Sequence, residues 1–338
     1  MLRRKNLFLI FFICFVLIEL IIIIILILNF QKAKHNILGT ISVNPINKDN
    51  IYYNPYSKLK YFFEPLPNRI EYSDPSVTWA KALYTINSDS LNSPQDFSIT
   101  KQNNIYRIVT LGDSFTFGMF VNTKDNWPQQ LQNLLENNLK CKNFSSFEVI
   151  NLGEYGYDIQ YSVERYRIRG QKYNPNLVLW FLKDDDFLEI NEIMRKNEQK
   201  YADEMKKSGE WEKLTKLGNS YPPNIKMHLD MENEYKKIGE RNFIKMQGNF
   251  LEDINKYFKN SLIVFTFPFT QNKFKLAMQQ FVDSRNNIAP SFFYDRITDI
   301  YKLGDANFPD SHPNEKGHKI IAHDLFNYLT KNKIIPCD

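Results

Sequence analysis

Cysteine and histidine are scarce in this sequence. Its 338 residues include three cysteines and five histidines. Three cysteines cannot build the disulfide framework of a small secreted domain, and the sequence contains no Cys-x-x-Cys pair and no Cys/His cluster with zinc-ligand spacing. This excludes a disulfide-rich scaffold and gives no indication of a zinc site.

A large excess of one charge is also missing. Lysine and arginine number 43, aspartate and glutamate number 38, and the formal net charge is +5. The basic residues are scattered among acidic ones, so the sequence has no nucleic-acid footprint. We therefore expect no nucleic-acid partner. The length leaves room for one large domain with an appendage, or for two modest domains.

A long apolar run lies at the N-terminus. It extends from Leu7 to Phe30, is apolar at all but two positions, and follows a basic cluster at residues 3–5. Such a run can span a hydrocarbon core of about 30 Å as a helix, whereas a cleaved signal peptide has a shorter apolar region followed by small residues. We expect residues 1–31 to be a cytoplasmic tip and an uncleaved transmembrane signal anchor. The rest of the chain would then lie outside the cell membrane, which it crosses once.

Residues 32–104 are polar and rich in tyrosine, proline and asparagine. These are loop and extended-chain signals, with one candidate strand at 82–86. We expect a stalk and, from about residue 50, an N-terminal embellishment packed on the domain that follows.

Residues 105–332 alternate between strand and helix patterns. Short apolar runs predict strands at 105–111, 147–151, 176–182 and 261–267, with a weaker one at 291–294. Strands that alternate with helices predict an α/β fold, in which a parallel sheet carries helices on both faces. After the third strand the chain makes a charged helical excursion from Leu188 to Lys259, and we expect its first part, at about 188–225, to be an insertion.

The first of these strands ends in the string Gly112-Asp113-Ser114. A serine on the turn leaving a parallel strand sits at the carboxyl edge of the sheet, where open α/β folds bind their ligands. The alternative is a tight turn in which the serine merely caps the next helix. Because a strand precedes the string, we favour Ser114 as a nucleophile.

A serine nucleophile needs a base, and that base must be oriented. His312 lies two residues after Asp310, directly before the predicted last helix. One loop can therefore present both groups, although the same residues could simply cap backbone amides at the start of that helix. We interpret His312 as the base and Asp310 as its orienting acid. For His318 and His323, on the last helix, packing or solvent exposure is favoured over metal binding.

These blocks resemble the GDSL/SGNH hydrolase superfamily, in particular its membrane-anchored bacterial members. The similarity covers about residues 105–330 and includes the serine block, the segment from Asn151 to Gly156, and the block around His312. The resemblance implies a three-layer, flavodoxin-like fold. It also implies three oxyanion donors, namely the amide of Ser114, the amide of Gly156 and an asparagine side chain from a third block.

The third block departs from that pattern, because Asp185 stands where the asparagine is expected. An ionised carboxylate donates no hydrogen bond and repels an oxyanion, so Asp185 could serve only if protonated. Alternatively it faces away and the other two donors suffice, or catalysis has been lost.

Two structural expectations follow from the assumed topology. The insertion would lie at the carboxyl edge of the sheet and form a lid or substrate wall, or else a helical hairpin packed elsewhere. In a flavodoxin-like order the first and last helices share one sheet face, so Cys141 and Cys337, which follow them, could form a disulfide outside the cytoplasm.

The sequence thus predicts a membrane-tethered, extracytoplasmic serine esterase that works through an acyl-serine intermediate, without a metal or cofactor. Superfamily and location indicate a short acyl ester, such as O-acetyl, on an envelope glycan as substrate, with lipid and thioester substrates left open. The alternatives are an O-acyltransferase for an envelope polysaccharide and a non-catalytic glycan-binding module.

Overall fold

The computed structural model describes residues 51–73, 77–216 and 221–337. The predicted signal anchor lies outside these ranges. Within them, no helix combines the length and the hydrophobicity needed to cross a membrane.

The N-terminal part of the described chain forms two small antiparallel hairpins. Strand β1 (Ile51–Tyr53) pairs with β2 (Phe63–Pro65), and β3 (Arg69–Tyr72) pairs with β4 (Leu83–Ile86). Strand β4 confirms the strand predicted at 82–86. The two hairpins precede the main sheet in the chain.

Five parallel strands form the central sheet, and all five were predicted. They are β5 (Ile105–Leu111), β6 (Ser146–Asn151), β7 (Leu177–Phe181), β8 (Ser261–Phe265) and β9 (Ser291–Tyr294). Their spatial order is β6-β5-β7-β8-β9. This is the 2-1-3-4-5 order of flavodoxin-like folds. The strand that follows β5 in the chain is added on one side of it, and all later strands are added on the other side. The carboxyl ends of β5 and β7 therefore lie side by side.

Helices cover the sheet and extend beyond it. In chain order they are α1 (Ser114–Phe117), α2 (Trp127–Asn138), α3 (Ile159–Arg165), α4 (Asp184–Leu188), α5 (Asn191–Met194), α6 (Glu198–Ser208), α7 (Glu210–Lys216), α8 (Pro223–Ile238), α9 (Glu240–Glu252), α10 (Asn272–Arg285) and α11 (Glu315–Lys331).

Two hydrophobic cores lie on opposite faces of the sheet. Ile108 packs in a cluster with residues of α2 and α11, whereas the adjacent Val109 packs with residues of α3 and α10. Successive residues of a strand point to opposite faces, so the buried run of β5 feeds both cores. Helices on both faces are thereby confirmed.

Helix α2 begins at a capped N-terminus. The Asn126 side chain accepts a hydrogen bond from the Gln129 amide at 2.8 Å, and Pro128 lies in the first turn. Helices α2 and α11 pack against each other on one face, and Cys141 is disulfide-bonded to Cys337. The expected disulfide is therefore confirmed.

The excursion after β7 is helical, as expected, and comprises α4 to α9. Several of its helices share a small apolar cluster that includes Met194, Met227 and Phe243. Near its start, the Glu192 carboxylate accepts hydrogen bonds from the amides of Lys60 and Tyr61, at 3.0 and 2.9 Å. The excursion is thus bonded to the first of the two N-terminal hairpins.

A buried ion network also joins these hairpins to the helix that follows β6. Glu64 is fully buried and accepts hydrogen bonds from Arg165, Arg169 and Tyr52. Arg169 also pairs with Asp89 at 2.8 Å. We call these five residues the Glu64 network. Burial opposes the charged form of Glu64, but the two arginines outweigh it and lower the pKa of the carboxyl to about 2.

Candidate active site

The serine block forms a sharp turn between β5 and α1. Gly112 has φ +144°, and a Cβ there would lie 2.9 Å from the carbonyl oxygen of Phe181, so only glycine fits. The Asp113 side chain caps α1 by accepting a hydrogen bond from the Phe115 amide at 3.0 Å. Ser114 follows as the first residue of α1 and is 8% exposed. The turn therefore presents the hydroxyl at the carboxyl edge of the sheet.

The loop before α11 holds His312 in two ways. Asp310 accepts a hydrogen bond from the His312 amide at 3.1 Å and contacts the ring nitrogen Nδ1 at 2.9 Å. Between them, Ser311 has φ +76°, a left-handed conformation that is uncommon for residues other than glycine. The His312 carbonyl accepts a hydrogen bond from the Phe308 amide at 2.8 Å, which closes the loop.

The two loops meet at one point. The Nε2 atom of His312 lies 2.9 Å from Ser114 Oγ. Carboxylate, imidazole and hydroxyl therefore form one continuous hydrogen-bonded chain, from Asp310 to Ser114, across 198 positions of sequence. With Nδ1 protonated and bonded to Asp310, Nε2 can accept the serine proton.

The segment carrying Gly156 runs beside the serine turn. The Glu154 amide donates to the Gly112 carbonyl at 3.2 Å. Gly156 has φ +69°, the region that favours glycine. Its carbonyl accepts a hydrogen bond from Asn191 Nδ2 at 2.8 Å. Asn191, the first residue of α5, thereby fixes a backbone that was predicted to supply an oxyanion donor, a contact that the sequence did not indicate.

Asp185 is the predicted oxyanion residue whose charge opposes the role. Its side chain is 69% exposed and lies 3.1 Å from the Lys183 ammonium. That ammonium lowers the pKa of the Asp185 carboxyl. The protonated form that donation would require is therefore disfavoured.

Lys183 links Asp185 to the serine turn. Its ammonium lies 2.6 Å from Asp113 Oδ2, and its side chain is only 11% exposed. Burial works against the charged form, but the neighbouring carboxylates, Asp113 first, raise the pKa of Lys183 above its usual value. A positive charge is thus paired with the residue that precedes Ser114. The position of Lys183 at the end of β7, beside the acids of the third block, was a signal that our sequence reasoning did not use.

The three other histidines of the described ranges, His228, His318 and His323, lie outside the chain of hydrogen bonds from Asp310 to Ser114. His318 is fully buried, its Nδ1 accepts a hydrogen bond from the Trp127 amide at 3.2 Å, and burial lowers its pKa to about 3. His323 is exposed on α11. His228, on α8, lies close enough to Asp185 for that carboxylate to oppose the lowering of the His228 pKa by burial. Among the residues in the three described ranges, no group of three His, Cys, Asp or Glu side chains could hold a metal ion.

Comparison with solved structures gives several matches of low identity. The psychrotrophic esterase EstA from Pseudoalteromonas sp. is 17% identical with a TM-score of 0.42, over 69% of this chain and all of that one. A two-domain esterase active on acetylated mannans is 14% identical with a TM-score of 0.42, over 70% and 52% of the two chains. An acetylxylan esterase from Geobacillus stearothermophilus is 13% identical with a TM-score of 0.38, over 68% and 95%.

Comparison with curated proteins gives no significant match. The family model described as GDSL-like lipase/acylhydrolase, in contrast, matches residues 108–325, which include the serine turn, the Gly156 segment and the His312 loop. Well over half of the chain is covered, and the similarity inferred from the sequence blocks is confirmed. The chain belongs to the GDSL-like lipase/acylhydrolase family.

Proposed function

We propose that this protein is a serine esterase in which Ser114 is the nucleophile, His312 the general base and acid, and Asp310 the orienting carboxylate. The observation that carries the proposal is the pair of 2.9 Å contacts that His312 makes, one to Ser114 Oγ and one to Asp310. Family membership over residues 108–325 supports the same reaction class.

The proposed reaction has two halves. Ser114 Oγ attacks the ester carbonyl carbon while His312 Nε2 takes the hydroxyl proton. The tetrahedral intermediate then collapses as its bond to the alcohol oxygen breaks, and His312 returns the proton to that oxygen. Water next attacks the acyl-serine, again losing a proton to His312, and the acid leaves as Ser114 regains its proton.

In this scheme the oxyanion is received by two backbone amides, those of Ser114 and Gly156. We assign the third position no donor, because Asp185 is paired with Lys183 and favours its ionised form. The Lys183 ammonium, 2.6 Å from Asp113, offsets the negative charge of these acids near the forming oxyanion. Catalysis would therefore proceed with two oxyanion donors, and the Lys183 ammonium would offset the charge of the nearby carboxylates.

We further propose that the enzyme is tethered to the cell membrane by residues 7–30 and works outside the cytoplasm on acyl esters of an envelope glycan. The apolar run behind a basic cluster supports the tether. The disulfide between Cys141 and Cys337 supports an oxidising compartment, because such bonds are rare in the cytosol.

The decisive experiment treats the purified full chain with a serine-directed fluorophosphonate and locates the label by peptide mass spectrometry. We expect a single adduct on Ser114, no adduct in Ser114→Ala, and slow labelling in His312→Ala because the base is missing. Folded protein that acquires no label at Ser114 would exclude the esterase and leave a non-catalytic module. Release of free acid, rather than acyl transfer to added oligosaccharide, would distinguish the hydrolase from an acyltransferase.

A further inference from the structure

An aromatic surface adjoins the catalytic loop. The indole of Trp79 is 38% exposed and contacts the rings of Phe120 and Phe308, with centroid distances of 4.7 and 5.2 Å. The Phe120 ring in turn lies 5.4 Å from the His312 imidazole. We call Trp79, Phe120 and Phe308 the Trp79 surface; its exposed ring is Trp79, whereas Phe120 is buried and Phe308 is half-buried. The Phe120 ring therefore lies between the Trp79 indole and the proposed general acid, His312.

The surface is held in place by the catalytic loop and by the N-terminal hairpins. Phe120 has φ +69°, a conformation that costs a bulky residue free energy and persists only where its surroundings impose it. The Phe120 amide donates to the Tyr84 hydroxyl at 2.7 Å, which fixes that conformation. Phe308 is bonded through its amide to the His312 carbonyl at 2.8 Å. Phe120 and Phe308 therefore keep a fixed position relative to the imidazole, and the Trp79 indole packs against both.

The proposed reaction determines which half of an ester would meet this surface. The carbonyl oxygen must lie against the amides of Ser114 and Gly156, whereas the alcohol oxygen must face His312, which protonates it. The group next to Phe120 and Trp79 is therefore the alcohol half of the substrate. An exposed aromatic face is flat and apolar, with negative charge density above the ring, and it suits the C–H face of a sugar ring.

We infer that the Trp79 surface is the subsite that binds the sugar ring carrying the acyl group. This inference rests on the proposed esterase function. Trp79 lies outside residues 108–325, the part matched by the family model. Phe120 and Phe308 lie inside that part. The N-terminal segment would thus add the exposed ring of the subsite to two rings of the family domain.

The test compares two classes of ester with the purified full chain. One is ethyl acetate, whose alcohol has no ring, and the other is a panel of acetylated oligosaccharides of xylose, mannose and N-acetylglucosamine. We expect Trp79→Ala to lower the ratio of kcat/KM for at least one oligosaccharide to that for ethyl acetate by about five- to tenfold, through KM. Trp79→Tyr should restore most of the ratio. Tyr56→Ala, which removes a ring 82% exposed elsewhere on the N-terminal segment, should not change it.

A ratio that stays unchanged for every oligosaccharide in Trp79→Ala would overturn the subsite, whether both activities are retained or both fall equally. If the wild-type protein hydrolyses none of the esters, the esterase proposal fails, and the subsite is decided by binding alone. Ligand-observed NMR with the unacetylated oligosaccharides and Ser114→Ala protein should then give binding that is lost when Trp79→Ala is added. No binding to any of the three would exclude the subsite.

Discussion

The active-site loop and the Glu64 network use the same chemistry for opposite purposes. In both, a largely buried carboxylate accepts hydrogen bonds from a basic side chain. Asp310 orients a single imidazole whose other nitrogen remains available to Ser114. Glu64 instead engages two arginines and a tyrosine, and no polar atom of its carboxylate is left for a ligand. A carboxylate contributes to chemistry only where its partner keeps a free functional atom.

The largest difference between the two sites is expected when Asp310 is replaced. Asp310→Asn should lower kcat for ester hydrolysis by about 10²- to 10⁴-fold, because an amide neither fixes the reactive tautomer of His312 nor balances its charge. The thermal unfolding midpoint should change little, since the side chain lies at the edge of the sheet. Steady-state kinetics and a thermal melt on one preparation check both statements. Activity within threefold of wild type would contradict the assigned role.

The matching change in the network is Glu64→Gln. It should lower the free energy of unfolding by about 3–5 kcal/mol, because Arg165 keeps a fully buried charge without its counter-ion. In the folded variant kcat should equal that of wild type, because Glu64 touches none of the reacting groups. Urea unfolding measures the loss. Lys256→Gln, at a surface pair where the lysine is 66% exposed, is the control and should leave the urea midpoint unchanged.

The disulfide offers a comparison within the catalytic domain. Replacing both Cys141 and Cys337 by serine should lower the free energy of unfolding by about 2–4 kcal/mol, because the bond closes a long loop in the unfolded chain. A reducing agent should produce the same loss in wild type and none in the double variant. If reduction leaves the urea midpoint of the wild type unchanged, the bond does not form in the protein tested.

Acid should weaken the stabilisation that the Glu64 network provides. The pKa of Glu64 in the folded protein is about 2, below its ordinary value of 4.5. The unfolded chain therefore binds the proton more tightly, and the stabilisation is complete above pH 4.5 and is lost as the pH falls towards 2. Stability measured from pH 6 to pH 3 should fall more steeply for wild type than for Glu64→Gln. Parallel curves would place the acid sensitivity elsewhere.

The smallest expected effect concerns Asp185. Asp185→Asn removes a negative charge from the proposed oxyanion region and supplies an amide donor, so kcat should rise by about two- to tenfold. Asp184→Asn is the control, because the Asp184 carboxylate accepts a hydrogen bond from the Gln271 amide at 2.9 Å on the other side of the block and should leave kcat unchanged. A fall in kcat for Asp185→Asn would mean that the carboxylate assists the reaction.

Much of the fold and the centre of the site could be predicted because their signals are local. Short apolar runs placed all five strands, and the serine and histidine blocks each fall within a few residues of a strand end or a helix start. The alternation of strand and helix then restricts where such ends can lie, so Ser114 and His312 could be expected at one edge. The disulfide followed from the same topology.

Side-chain contacts that belong to no sequence block and follow from no topology could not be predicted. The position of Lys183 after β7 brings it to the carboxyl edge of the sheet but does not indicate that its ammonium reaches Asp113, and nothing near Asn191 indicates that it fixes Gly156. Trp79 and Glu64 lie in a polar segment whose composition indicates only loops.

The sequence by itself therefore determined the α/β class, the strand positions, and the candidate nucleophile, base and orienting acid, because each depends on residue type and short-range periodicity. Only the tertiary structure decided that Lys183 pairs with Asp113, how the N-terminal hairpins are attached, and which aromatic rings adjoin His312. Those depend on distances between side chains far apart in the chain, and such distances are fixed only when the elements pack.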